Sequence, residues 1–239
     1  MLLTDDQMKR LTQKTGFPVS RHDGLYWIGL EDGEYMLMPW REITRLKNMR
    51  GKLRDGTVRN PVAMKAECVV QRGNPIGALT MREMDVAEWV LGDRFTAMFA
   101  LTDGKHVMHL IGRMESGARV TLDLTNGLNE RTRETERHEV IASDGDLCDL
   151  PVGMQYASED IYVFDSDEKD PAAFTEVIIG DEFYTREEAQ IFRDALRVVG
   201  DEKERQYRTK RYEELKKLAE TAKCSSGSLQ LTEVSHEIG

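Results

Sequence analysis

Residues 95–124, FTAMFALTDGKHVMHLIGRMESGARVTLDL, decide the fold of this chain. Three stretches rich in Val, Ile, Leu, Phe and Met are separated here by two short turn sequences, Asp103-Gly104 and Ser116-Gly117. Apolar runs joined by such tight turns predict neighbouring strands that pair in antiparallel order. The predicted strands are Phe95–Leu101, His106–Met114 and Arg119–Leu124.

Helices are predicted on both sides of these strands. Residues 81–92 carry apolar side chains spaced for one buried side, and Gly92 marks the C-terminal end. Thr185 precedes a second predicted helix that Gly200 ends, and residues 212–223 predict a third. Helices before and after a run of strands predict an α+β fold, a predominantly antiparallel open sheet with helices on one face. Further strands are predicted at 62–71, 138–142, 160–164 and 229–232.

The first sixty residues predict a short helix–hairpin–helix arm. Residues 5–14 are typical of a short helix, and an Asp-Gly turn between residues 25–30 and 35–38 indicates a hairpin. Residues 40–50 predict a basic helix, whose charges we interpret as a solvated face or as a contact with an acidic partner. The predicted domains are the arm, 1–60, and the α+β domain, 61–239.

Composition favours a folded cytoplasmic protein. The 239 residues include 33 Lys and Arg against 43 Asp and Glu, a net charge of −10, which argues against a nucleic-acid surface. No apolar run is long enough to cross a membrane, and the N-terminus does not resemble a secretory signal. The three cysteines lie far apart without a Cys-x-x-Cys motif, so neither a disulfide framework nor a zinc site is predicted. Cys68, within an apolar run, is interpreted as a small buried side chain.

Three segments carry a family resemblance. Residues 81–92, MREMDVAEWVLG, are similar to a helix motif of roughly I-H-E-I-D-x-x-x-W-L-x-G. Residues 114–122 with 137–147 are similar to a strand and the sheet edge that follows it, and residues 214–231 to a closing helix and strand. From about Pro61 to Val234 the sequence thus resembles the C-terminal domain of the Gfo/Idh/MocA oxidoreductases.

The chain departs from that family where its dehydrogenase chemistry resides. The sequence has no GxGxxG motif, and about 60 residues precede the resemblance, too few for a complete doubly wound domain. The family's E-K-P motif is missing, and Ala78 stands where many members have an aspartate. Arg82 occupies the position of the catalytic histidine, and an arginine cannot accept a proton from a sugar hydroxyl. We therefore expect no bound nicotinamide cofactor and no classical NAD(P)-dependent dehydrogenase activity.

Arg82, Glu83 and Asp85 are the candidate ligand-binding residues. The resemblance places them at a substrate cleft, where Arg82 would bind a carboxylate, phosphate or hydroxyl and Asp85 would accept from a sugar hydroxyl. Side chains three residues apart share a helix face, so Arg82 and Asp85 are predicted to project together. The alternative is an ordinary helix start, where acids favour the dipole. No metal site is predicted. The histidines interpreted as structural are His106, His109 and His138.

Three functions stay open at this point. The leading one is an oxidoreductase-like domain without a nucleotide site, which binds a carbohydrate or polyol or serves as the partner subunit of a catalytic protein. The second is a cofactor-independent lyase or hydrolase acting on oxidised sugars through Arg82, Glu83 and Asp85. The third is a structural oligomerisation protein. Strands such as 107–111 and 120–124 are apolar on more than one side, which predicts a homo-oligomer formed through the open sheet face.

Overall fold

The computed structural model describes residues 3–129, 132, 134–149, 161–165, 172–174, 185–228 and 230–235. These residues form the predicted α+β fold, with one large sheet and one small one. None of the helices in these ranges is both long enough and apolar enough to span a membrane.

The N-terminal region contains a three-stranded antiparallel sheet rather than a hairpin alone. The additional strand pairs Val19 with Ile28 and His22 with Leu25, and its short polar sequence lacks the apolar alternation that would have predicted it. The elements are α1 (Asp5–Thr15), β1 (Val19–His22), β2 (Leu25–Leu30), β3 (Gly33–Met36), a 3₁₀ helix (Pro39–Glu42) and α2 (Thr44–Arg54).

Within the described residues, the large sheet has nine strands in the order β11-β10-β9-β8-β4-β7-β6-β5-β12. Only the central pair, β4 and β7, is parallel, so the prediction of a predominantly antiparallel sheet is confirmed. Its elements are β4 (Pro61–Gln71), α3 (Ile76–Leu91), β5 (Phe95–Thr102), β6 (Val107–Met114), β7 (Arg119–Leu128), β8 (Thr135–Ala142), β9 (Gly145–Cys148), β10 (Ile161–Asp165), β11 (Ala172–Phe174), α4 (Arg186–Gly200), α5 (Glu202–Ser228) and β12 (Thr232–Glu233).

Two helices lie on one face of the large sheet. Helix α3 packs over β4, β6 and β7, and α5 packs along β5. Helix α4, which was expected to cover the same face, packs on the 3₁₀ helix, α1, α5 and β2 instead. Its buried Ile191, Ala195 and Val198 follow a single helical stripe, and the small core of the N-terminal region, with Leu11 and Ile28, meets that stripe.

Helix α5 is longer than the sequence predicted. It begins at Glu202, within the charged run 201–211 for which either a solvated loop or a solvated helix was expected, and it continues through Ser225-Ser226-Gly227, which was expected to end it. Two of these serines bind the sheet, because the Ser225 and Ser226 hydroxyls accept hydrogen bonds from the backbone N–H groups of Ala100 and Thr102. These contacts to β5 keep Ser225 and Ser226 within helix α5 despite the weak helix propensity of serine.

The N-terminal region and the large sheet share one hydrophobic core. Trp27, Met38 and Leu46 belong to the same buried cluster as Met84 of α3 and Leu122 of β7. The turn between β1 and β2 also approaches the start of α3 closely. A Cβ on Gly24, whose φ is +84°, would lie 2.6 Å from the Pro75 ring and 2.7 Å from the Ala78 side chain. The division at residue 60 stays a prediction.

Candidate functional site

A cavity of about 240 Å³ lies where β2, the 3₁₀ helix and the beginnings of α2, α3 and α4 meet β8. Its wall combines two aromatic side chains with several charged and amide groups. This mixture offers an apolar surface beside hydrogen-bond donors and acceptors, as small-molecule sites do. The lining side chains used below are Tyr26, Trp40, Arg45, Arg82, Glu134, Glu136 and Gln190.

Arg82 lies in the wall of this cavity and is held by two carboxylates. Its Nε donates to Glu83 Oε1 at 2.6 Å, and its Nη1 lies 2.7 Å from Glu136 Oε1. Burial alone would lower the pKa of this guanidinium, but Glu136 and Glu83 outweigh that effect and hold the pKa above its ordinary value. Among the residues that the structure describes, none accepts a hydrogen bond from the buried Nη2. Arg82 therefore lines the cavity with a guanidinium whose Nη2 could reach a ligand only after the side chain moves.

His138 lies behind Arg82 between two carboxylates. Its Nδ1 is 2.8 Å from Asp149 Oδ2, and its Nε2 is 2.9 Å from Glu83 Oε2. Burial would lower the pKa of the imidazole, but Asp149 and Glu83 raise it well above its ordinary value. With a carboxylate on each ring nitrogen, the histidine is satisfied as an imidazolium in the ion-free protein. The interpretation of His138 as a structural histidine agrees with these contacts.

Arg45 closes the network from α2. Its Nε donates to Asp149 Oδ2 and its Nη2 to Glu136 Oε2, each at 2.9 Å. Burial would raise the pKa of Glu136, yet Arg82 and Arg45 hold that pKa far below its ordinary value. Three cations (Arg45, Arg82 and protonated His138) therefore alternate with three anions (Glu83, Glu136 and Asp149), and the network is neutral. Pairing at every position is what makes so many buried charges tolerable.

Cys68 borders this network from β4. The thiol is fully buried beside Glu83 and His138, and burial with the nearby Glu83 charge raises its pKa to about 12. A protonated, inaccessible thiol is not a nucleophile. Cys68, His138 and Asp149 therefore do not form a catalytic triad for a ligand in the cavity.

Asp85 belongs to a different cluster from Arg82. Its carboxylate accepts from Trp40 Nε1 at 2.7 Å, from Arg41 at 2.6 and 2.8 Å, and from Arg211 at 2.7 Å. The expectation that Arg82 and Asp85 project together is corrected, because three residues turn a helix by about 300° and the two side chains diverge by about 60°. That divergence directs Arg82 towards β8 and Asp85 towards the 3₁₀ helix and α5.

The sequence alone did not identify most of this site. Arg45 was part of a basic run interpreted as a solvated face or as a contact with an acidic partner, and Glu136 and Asp149 were not among the candidate site residues. The available signal was the alternation along β8, because Glu136 and His138 share the strand face that α3 covers. The pairing of Glu136 with Arg82 and of His138 with Glu83 depends on strand order, which the sequence pattern did not supply.

Comparison with solved structures shows that the fold is that of a group of oxidoreductases. An oxidoreductase from Thermotoga maritima matches 82% of this chain at 14% identity with a TM-score of 0.63, over 62% of its own length. Levoglucosan dehydrogenase in complex with NADH and levoglucosan matches 83% at 10% identity and 0.66, over 65% of its length. Aldose-aldose oxidoreductase from Caulobacter crescentus, complexed with glycerol, matches 82% at 12% identity and 0.59, over 62%.

These neighbours confirm, at the level of the fold, the resemblance to Gfo/Idh/MocA-type oxidoreductases. This chain spans less than two thirds of the length of each of the three proteins. No protein-family model and no curated protein sequence matches it significantly. At such low identity the likeness is one of fold, and a site on a shared fold must be argued from its own residues.

Proposed function

We propose that this chain is a carbohydrate- or polyol-binding domain of oxidoreductase-like fold without a nucleotide site of its own. The observation that carries the proposal is the cavity that Arg82, Trp40 and Tyr26 line together, with the buried Nη2 of Arg82 unpaired among the described residues. Aromatic faces pack on the apolar side of a sugar ring, while guanidinium and amide groups bind its oxygens. Two of the solved neighbours are named for sugar substrates, which supports this ligand class.

The ligand that suits the cavity best is a sugar acid or a polyol with an anionic group. Arg82 and Arg45 line the wall, and a ligand carboxylate would compete there with Glu136, the carboxylate that both guanidinium groups bind. Glu134 and Gln190 add acceptors for hydroxyl groups. The lyase or hydrolase alternative is weakened because Asp85, one of its three proposed catalytic residues, is fully occupied by Trp40, Arg41 and Arg211.

The proposal that this chain has no nucleotide site of its own rests on the absence of a glycine-rich turn from its sequence. A dinucleotide needs backbone N–H groups and a helix N-terminus around its pyrophosphate. The sequence contains no GxGxxG motif. If the domain serves a redox reaction, the nicotinamide cofactor would be bound outside these 239 residues.

Arg82→Ala is expected to weaken binding of a sugar acid by about 1.5–3 kcal/mol, the range for a hydrogen bond to a charged group. Isothermal titration calorimetry of sugar acids, sugars, polyols and NAD(H) against the unmodified chain identifies the ligand first, and NAD(H) is expected to give no heat of binding. Because Arg82 also binds Glu83 and Glu136, the variant will lose stability, so affinity is measured well below its melting temperature.

Arg59→Ala is the matched control for this titration. Arg59 is an exposed arginine paired with Asp144 and distant in sequence from the cavity wall, so its removal should leave ligand affinity unchanged. Equal affinities of Arg82→Ala and the unmodified chain would assign Arg82 a structural role only. Binding of NAD(H) at micromolar affinity would contradict the absence of a nucleotide site.

A second proposal, that two copies of this chain associate through the open sheet face, rests on a separate observation. Leu101, Val107 and Ile111 are exposed on the face of β5 and β6 opposite α3 and α5, beside the His109–Asp123 pair. Large apolar side chains grouped on a flat sheet favour burial against another surface.

Light scattering at micromolar concentration is expected to give a dimer or larger mass for the unmodified chain and a monomer mass for Ile111→Lys. Thr121→Lys, on the neighbouring strand, tests whether polar positions of the face are also covered. A monomer mass for the unmodified chain would contradict the proposal.

A further inference from the structure

Three potential metal ligands from distant parts of the sequence meet behind Arg82. Cys68 lies on the central strand β4, His138 on its neighbour β8, and Glu83 on the helix that covers both strands. The thiol sulfur, a ring nitrogen and a carboxylate oxygen all lie within 4.8 Å of one another. Each of the three residues is at most 1% exposed. Such a group is too compact and too buried to be a chance arrangement of surface acids.

The donor set matches one class of metal ion. Zn²⁺ binds thiolate, imidazole and carboxylate groups, usually four in tetrahedral geometry, with bonds of about 2.0–2.3 Å. Ligand atoms around such an ion lie roughly 3.3–3.7 Å apart. The separation of His138 Nε2 from Glu83 Oε2 is 2.9 Å, so accepting an ion requires these two side chains to move apart by about half an ångström. A pair of ligand atoms at the upper separation in the cluster, 4.8 Å, would have to move together by about 1 Å.

The surrounding hydrogen bonds orient the ligands as a metal site requires. Asp149 binds His138 Nδ1 and leaves Nε2 directed at Glu83, the carboxylate–histidine arrangement that accompanies bound zinc. Asp149 is itself fixed by Arg45 and by the backbone N–H of His138. Glu83 is held through its other oxygen by Arg82. The outer partners thus bind His138 Nδ1 and Glu83 Oε1, and they leave His138 Nε2 and Glu83 Oε2 to face the ion.

We propose that Cys68, Glu83 and His138 bind one Zn²⁺ ion. Binding exchanges the ion for two protons, the Sγ proton of Cys68 and the Nε2 proton of His138, which pass to solvent. Before binding, the three side chains are a thiol, an imidazolium and a carboxylate, and their total charge is zero. After binding, the total charge of Zn²⁺, a thiolate, a neutral imidazole and a carboxylate is also zero. The exchange therefore leaves the buried network neutral, with Arg45, Arg82, Glu136 and Asp149 still paired.

The ion would link β4, β8 and α3 directly beneath the Arg82 wall of the cavity. Since Arg82 binds the Glu83 ligand and also lines the cavity, the metal would fix the wall on which the proposed ligand rests. The zinc proposal stands on the cluster alone and does not require that a sugar binds.

Cobalt spectroscopy on the full chain tests this assignment. Cys224 is exposed, so Cys224→Ser provides a background without a surface thiol. After chelator treatment, one equivalent of Co²⁺ is expected to give the strong visible bands of tetrahedral cobalt and a thiolate-to-cobalt band in the near ultraviolet, and Zn²⁺ should abolish both. Cys68→Ala in this background should lose the thiolate band. Asp149→Asn should weaken binding by about 10- to 100-fold, as loss of an outer-shell partner does.

Cys148→Ala is the matched control, because it removes a second buried thiol that lies outside the cluster, and its cobalt spectrum should be unchanged. Failure of the chelator-treated background protein to bind Co²⁺ or Zn²⁺ in equilibrium dialysis at micromolar concentration would overturn the proposal without any variant. A thiolate-to-cobalt band that persists in Cys68→Ala would overturn it as well. Neither result would bear on sugar binding, which is measured separately by calorimetry.

Discussion

Asp85→Asn is expected to lower the free energy of unfolding by about 3–5 kcal/mol, the cost of removing one partner from a buried ion pair. The Asp85 carboxylate is fully buried and accepts hydrogen bonds from Trp40, Arg41 and Arg211. An asparagine of nearly the same shape accepts with one oxygen only, and its amide group faces a guanidinium. Arg41 and Arg211 are then left in the interior without their shared counter-ion, although Arg211 keeps Glu88 at 2.6 Å.

Urea unfolding at neutral pH measures this change. Glu213→Gln is the matched control, because Glu213 is an exposed carboxylate paired three residues along the same helix with Lys216, and its loss should change stability by less than about 0.5 kcal/mol. A loss below about 1 kcal/mol in Asp85→Asn would show that water or local rearrangement compensates both arginines. The carboxylate would then be dispensable for the fold.

The loss of stability caused by Asp85→Asn should depend on pH. Burial would raise the pKa of Asp85, but Arg41 and Arg211 hold it well below its ordinary value of 3.8. A carboxyl group whose pKa is lower in the folded than in the unfolded state stabilises the fold above the unfolded pKa and loses that contribution as the pH falls. The difference in stability between the unmodified chain and Asp85→Asn should therefore shrink as the pH falls below about 4.

The strands and helix ends were largely predictable because their signals are local. Asp103 accepts three backbone hydrogen bonds, from Lys105, His106 and Val107, and so fixes the Asp-Gly turn that separates β5 from β6. Thr185 and Glu188 form a reciprocal cap at the start of α4, as the sequence indicated. Gly92 ends α3 with a φ of +67°. Each of these features requires only residues close together in sequence.

The site was less predictable because its contacts join distant residues whose charges resemble solvated ones in the sequence. Arg82 and Asp85 were predicted to project together towards a ligand, whereas Arg82 binds Glu83 and Glu136. The basic residues Arg41 and Arg45 were interpreted as a solvated helix face or as a contact with an acidic partner, yet each binds a buried carboxylate from another element of this chain. Strand order and helix rotation decide these pairs, and neither is encoded in a short motif.

The charged run at 201–211 also contains contacts between residues distant in sequence, and the second prediction with a large expected effect concerns Arg208 in this run. Arg208, in a segment that was interpreted as a solvated loop or helix, is fully buried in α5 and binds Asp194 of α4 at 2.7 Å. Asp194 also accepts from the backbone N–H of Met38 at 2.6 Å, so one carboxylate joins both C-terminal helices to the N-terminal region. Arg208→Met is expected to cost about 3–5 kcal/mol, because it leaves that carboxylate buried without a cation.

A double-mutant cycle separates this charge pairing from packing. Arg208→Met and Asp194→Asn should each strongly lower the free energy of unfolding. The double variant should lose about 1–3 kcal/mol less than the sum of the two single losses, since neither variant residue carries an unpaired charge. The asparagine side chain in Asp194→Asn retains an oxygen for the Met38 N–H, so the cycle reports chiefly on the ion pair. Additive losses would indicate that Arg208 acts through the packing of its aliphatic stem.

The pH dependence of Arg208→Met should fall in a higher pH range than that of Asp85→Asn. Burial raises the pKa of Asp194 above its ordinary value even though Arg208 opposes the shift, and removal of Arg208 raises it further. A carboxyl group with a raised folded-state pKa favours folding below the unfolded pKa and loses that contribution as the pH rises through the folded pKa. Arg208→Met should therefore regain part of its stability, relative to the unmodified chain, between neutral pH and about pH 4. Urea unfolding of both proteins across that range measures the regain, and a stability difference that stays constant would show that Asp194 does not carry the buried charge on which the prediction depends.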